Sequence, residues 1–172
     1  AVLGMITPGI PAWLSENLWE GLRFDDMEET ARKYMPILKE KEKADVVIGL
    51  FHTGDEAEWL SGIYREHAAA EVAERVPGFD VILFGHDHSR DCHSVVNVAG
   101  DSVLLINPAN AAHRVGDVTI KVNVENGKVV SKEGSGELVS VDDLPVSEAF
   151  MQQFSKQYND VTQFISKKIG HF

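Results

Sequence analysis

One cysteine, Cys92, occurs in 172 residues, which excludes an internal disulfide. No apolar run reaches the roughly 18 to 20 residues of a membrane span, and no basic stretch followed by an apolar one reads as a secretory leader. Positive charge is scarce, with 16 Lys and Arg against 27 Asp and Glu and a formal net charge of -11. That balance argues against a nucleic-acid polymer as partner, because such surfaces are strongly basic. It leaves phosphate substrates open, since a bound metal can be the largest local charge. Gly-x-Ser-x-Gly, the phosphate loop and the dinucleotide fingerprint do not occur, so nucleophilic serine or cysteine catalysis has no visible support. What is present is ordinary for one globular domain: 44% hydrophobic and 25% charged residues.

The chain is organised around Val81-Ile82-Leu83-Phe84-Gly85-His86-Asp87-His88. Four apolar residues are too few for a helix and read as a buried strand. The change to Gly and two histidines reads as a loop at its carboxyl end, where open α/β sheets bind ligands. His86 and His88 stand at i and i+2, so an extended segment would send both imidazoles the same way, suited to holding a metal. Asp87 between them is expected to point away from the metal.

The chain begins at Ala1-Val2-Leu3-Gly4-Met5-Ile6, already strand-like, which suggests a piece of something longer. Thr7-Pro8-Gly9-Ile10-Pro11 breaks the backbone, and a loop follows with Trp13 and Trp19 as anchors. Asp25 or Asp26 caps a predicted helix over 27–43, kinked by Pro36. Val46-Val47-Ile48-Gly49-Leu50-Phe51 is a nearly continuous apolar run, as in a parallel strand covered on both faces. It ends at His52-Thr53-Gly54, a second strand delivering histidine at its carboxyl end. A helix over 62–75, with Ile63, Ala70, Ala73 and Val76 as its stripe, leads into the organising strand. Strand, helix, strand, helix, strand predicts adjacent parallel strands. Beyond His88 the pattern turns to β segments at 94–98, 102–106, 116–124 and 129–141, with Asn126-Gly127 as a hairpin turn. Ser147 caps a last helix to about Lys168.

His52, His86 and His88 are thus the candidate metal ligands. Asp91-Cys92-His93 departs from the metallo-β-lactamase spacing by one residue and is set aside. His113, followed by Arg114, either reaches the same edge, with Arg114 as a phosphate or carboxylate partner, or stays in a polar loop. His67 is read as structural within the second helix, and His171 as solvent-exposed.

Leu50-Phe51-His52-Thr53-Gly54, the stretch from Gly78 to His88, and Phe164-Ile165-Ser166-Lys167-Lys168-Ile169-Gly170 resemble the bacterial 2′,3′-cyclic-nucleotide 2′-phosphodiesterase and 5′-nucleotidase family, calcineurin-like metallophosphoesterases. The stretches at 30–36 and 115–118 resemble it too. The resemblance implies an α/β fold, the C-terminal half of a metallophosphoesterase sandwich: parallel βαβαβ, an antiparallel hairpin, and a terminal linker helix. Residues 1–145 would be a partial catalytic domain lacking its N-terminal half, and 146–172 a linker toward an absent C-terminal nucleotide-binding domain. It also implies two divalent metal ions (Mn, Zn, Fe or Co), with positions matching His52 and His86 on one and His88 on the other, acting on a nucleotide or cyclic-nucleotide substrate in the periplasm or at the cell surface. Upstream of His52 the family's Asp-x-His, Gly-Asp-x-x-Asp and Gly-Asn-His-Glu motifs are not found. The expectation is therefore a phosphoesterase parent whose fragment, this chain, lacks competent chemistry and associates through exposed core surface. The alternatives are a non-catalytic binding or scaffold module of the same fold, and a single-metal hydrolase.

Overall fold

A computed structural model describes residues 1–56, 58–60 and 64–170. Its centre is a five-stranded sheet in the order β1 (Val2–Ile6), β2 (Ile48–His52), β5 (Val81–Leu83), β7 (Ser102–Pro108), β6 (Arg90–Val96). β1, β2, β5 and β7 run parallel, and β6 is antiparallel to β7. The register sets Leu3, Gly49, Ile82 and Leu105 side by side across the sheet.

Helices α2 (Met27–Pro36) and α3 (Ala69–Arg75) cover one face. Met27, Ala31 and Met35 of α2, with Ala69, Val72 and Ala73 of α3, meet Ile82, Val103 and Leu105 of the sheet in one buried core. The α2 stripe at spacings of three and four turns inward because Asp26 starts the helix in register, its carboxylate accepting from the Glu29 amide at 3.0 Å.

The other face is covered beside β5 and β7 by the hairpin of β8 (Arg114–Glu125) and β9 (Lys128–Ser140). Asn126 (φ 50°) and Gly127 (φ 75°) make its turn, as Asn-Gly predicts. Close approach requires a bare backbone at Gly136, where a Cβ would stand 3.1 Å from Leu104 Cδ2 and 3.3 Å from the Asp117 carbonyl oxygen. On the same face beyond the hairpin, Val2, Ile6 and Leu50 stay exposed.

Four expectations are corrected. The predicted 27–43 helix ends as α-helix at Pro36 and continues as a π-helical turn, Ile37–Lys41, closed by the Glu42 amide on the Ile37 carbonyl at 2.9 Å. Pro36 is the last residue of the α-helix, and the π-helical turn follows it directly. The predicted 62–75 helix starts only at Ala69. Its Gly62 and Ile63 lie outside the described residues, and Tyr64–His67 is β4, antiparallel to β3 (Glu58–Leu60). The Ala68 and Ala69 amides donate to the Gly54 carbonyl, a tertiary tie that overrides local helix propensity. β6 begins at Arg90 rather than Ser94, because the ladder to β7 runs from Pro108 to Ser102. Ile10–Trp13, expected as irregular chain, forms one helical turn, α1.

Residues Ala1–Val141 and Asp142–Phe172 are separate compact units. The second contains α4 (Glu148–Ile165), started by Ser147, whose hydroxyl accepts from the Phe150 amide at 3.3 Å. No helix among the described residues is long and apolar enough to cross a membrane. His171 lies outside the described residues.

Candidate metal centre

The site is built at the carboxyl ends of β2 and β5. His52 closes β2 in register with Ile6, and its carbonyl accepts from the Thr7 amide at 2.9 Å. A single antiparallel bridge, Thr53 to Gly85, ties the loop after β2 to the loop after β5. Thr53 is fully buried. Its hydroxyl donates to the Glu66 carbonyl at 2.7 Å and accepts from the Ala68 amide at 3.1 Å, which locks β4 against the same loop. Gly54 leaves room for this, since a Cβ there would lie 2.7 Å from His67 Cγ and 2.9 Å from Asp87 Oδ2.

His86 and His88 both adopt positive φ, 96° and 58°, which side-chain-bearing residues rarely do. The extended geometry assumed from their i, i+2 spacing is therefore not what orients them. The loop is held by Asp87, whose carboxylate accepts from the Ser89 amide and hydroxyl, the Asn107 side-chain amide and the Asp55 amide at 2.7 to 3.1 Å. Burial pushes the Asp87 pKa up, but these donors outweigh it and hold the group below the usual carboxylate range. Asn107, fully buried at the end of β7, serves as the matching anchor and accepts from the Ala109 amide at 3.0 Å.

His52, His86 and His88 line one cleft of about 490 Å³. The His52 and His86 ring centroids are 5.0 Å apart. Asn110 Nδ2 lies 3.4 Å from His88 Nδ1. Partial burial, followed by the nearby His86 and His88, holds the His52 pKa below the ordinary imidazole value, which favours the neutral form that ligates metal. Imidazole suits divalent transition metals, but the three rings do not close on one point: among the described residues the groups whose ligand atoms lie within 4.8 Å of one another are Glu66, His67 and His86, and Asp55, Asp91 and His93. Among the described residues lining the cleft there is no carboxylate, so a second cation would need ligands from elsewhere.

Residues that sequence reasoning did not select surround His86. Glu66 Oε1 lies 2.8 Å from His86 Nε2. The Trp13 ring, on α1, is 5.2 Å from the His86 ring, and the His67 ring is 5.7 Å from it. His67 is thus at the end of β4 beside the site, and its expected placement in a helix is overturned. Trp13 was read only as an anchor. Glu66 carried no local signal, because its partner is 20 residues away. Neither His113 nor Arg114 lines the cleft. Asp91 and His93 share one side of β6, where His93 Nδ1 is 3.1 Å from Asp91 and Nε2 is 3.8 Å from Asp55.

Residues 8–90 match the calcineurin-like phosphoesterase family. A Salmonella typhimurium protein named 2′,3′-cyclic-nucleotide 2′-phosphodiesterase/3′-nucleotidase is 27% identical over 98% of this chain and 28% of its own length. A Haemophilus influenzae protein of the same name is 38% identical over 50% of this chain and 13% of its own length. The crystal structure of the calcineurin-like phosphoesterase YfkN from Bacillus subtilis is similar with a TM-score of 0.72 at 25% identity, covering 96% of this chain and 52% of that one. This chain therefore spans under a third of the Salmonella relative and about half of the YfkN chain in that crystal structure.

Proposed function

We propose that this chain, whose residues 8–90 match the calcineurin-like phosphoesterase family, forms part of the active site of a metal-dependent phosphoesterase acting on 2′,3′-cyclic nucleotides and nucleotide monophosphates. The observation that carries the reading is the meeting of His52, His86 and His88 in one cleft at the ends of two parallel strands. In this reading His52 and His86 hold one divalent cation and His88 holds a second, whose remaining ligands come from outside this chain. Bound there, the cations supply Lewis-acid activation of the phosphate ester and of water. The chain's own part is to orient the imidazoles: Asp87 and Asn107 pin the loop that bears two of them, and Thr53 pins the loop that bears the third. The names of the Salmonella and Haemophilus relatives support the substrate class.

The same reading makes residues 146–172 a linker and places the parent protein at the periplasm or cell surface, to be checked by fractionation of the source cells. The exposed Val2, Ile6 and Leu50 support self-association. Calorimetric titration of the chain with zinc or manganese tests the centre. Binding that is lost in His86→Ala and weakened in His88→Ala is expected, and no binding by the wild type would sink the reading. Hydrolysis of a 2′,3′-cyclic nucleotide by this chain alone, at rates typical of enzymes, would overturn the incomplete site.

A further inference from the structure

The carboxylate of Glu66 approaches His86 from outside the cleft: its Oε1 is 2.8 Å from Nε2, and Glu66 is not among the cleft-lining residues. Both side chains are mostly buried, at 17% and 19% exposure, so the contact is shielded from water. The backbone at Glu66 is fixed by the Thr53 hydroxyl on its carbonyl, and Thr53 in turn bridges to Gly85, next to His86. Glu66 therefore reaches His86 through a rigid connection rather than a mobile loop.

A neutral imidazole has one N–H and one lone pair, and an ionised carboxylate only accepts. With a neutral His86 and an ionised Glu66, the contact at Nε2 places the proton there and leaves the lone pair on Nδ1. Resting on the metal-centre reading above, we propose that Glu66 is a positioning residue that fixes the tautomer of His86 so that Nδ1 is the atom offered to the cation. Metal-binding histidines commonly hold a carboxylate on their second nitrogen in this way, which orients the ring and raises its basicity. The His67 Nε2 lies 3.7 Å from the same Glu66 oxygen, beyond hydrogen-bond reach.

The competing arrangement is a cation held directly by Glu66, His67 and His86, whose ligand atoms all lie within 4.8 Å of one another. Long-range ¹H–¹⁵N spectra of the metal-free full chain separate the two. His86 is expected as the Nε2–H tautomer in the wild type and in Glu66→Gln, whose amide oxygen still accepts, and as a mixture in Glu66→Ala. In zinc titrations Glu66→Ala should weaken binding about 10- to 100-fold, Glu66→Gln less, and His67→Ala not at all. Far-UV circular dichroism checks that each variant is folded, and Glu66→Gln carries the test if Glu66→Ala is not. A wild-type His86 in the Nδ1–H tautomer overturns the proposal, as does a His67→Ala loss equal to that of His86→Ala. Because the tautomer is read without metal, it decides the role of Glu66 even if the wild type binds no zinc, an outcome that would instead overturn the metal-centre reading.

Discussion

At the scale of single residues, the site depends on a few buried polar groups that tie its loops together. Thr53→Val keeps the volume but removes the hydroxyl's bonds to the Glu66 carbonyl and the Ala68 amide, so a loss of about 1–3 kcal/mol is expected in chemical denaturation. Gly54→Ala should displace His67 and Asp87 together, lowering zinc affinity as well as stability, which parallel calorimetry and denaturation will separate. Asp55 offers a pH test. Burial first, then the neighbouring Asp91 and Asp87, raise its pKa against the opposing pull of His93. A carboxyl whose folded pKa lies above the unfolded one binds more protons when folded, so its contribution to stability is lost as pH rises through the folded value. Asp55→Asn should therefore raise the denaturation midpoint at pH 7 more than at pH 4. The histidines were legible as chemistry because Gly-His-Asp-His follows an apolar run. Glu66, Thr53 and Asn107 were not, since each is tied to the site by side-chain contacts with partners 13 to 20 residues away.

At the scale of elements, local pattern succeeded where the apolar run is continuous and failed where tertiary ties intervene. β5 is apolar throughout and β2 is apolar up to its closing His52, so both fall close to where the pattern puts them, and the Asn-Gly turn selects its hairpin by requiring positive φ. β6 opens with Arg90, Asp91, Cys92 and His93, whose mixed polarity hides a strand that only the ladder to β7 reveals. The start of α3 was hidden likewise, by the Gly54 carbonyl that takes two of its amides. The hairpin's seat on the sheet has its own test. Gly136→Val must push Leu104 or the Asp117 carbonyl aside, and a loss of about 1–3 kcal/mol in chemical denaturation is expected from such overpacking.

At the scale of the whole molecule, the buried core is made of side chains that are not candidate ligands. A chelator should therefore leave the far-UV circular dichroism unchanged while lowering the melting temperature of the metal-loaded chain, as linkage requires. The sheet face bearing Val2, Ile6 and Leu50 is apolar and open, so light scattering should give a mass that rises with concentration, and Leu50→Lys should suppress the rise. The α/β class, the order of the parallel strands' elements and the three candidate imidazoles follow from hydrophobic period and turn chemistry, which act over a few residues. Only the tertiary structure decided which atoms meet: the positive-φ loop at His86 and His88, the Asp87 anchor and the Glu66 contact all depend on segments far apart in the chain, and no local pattern encodes a distance between them.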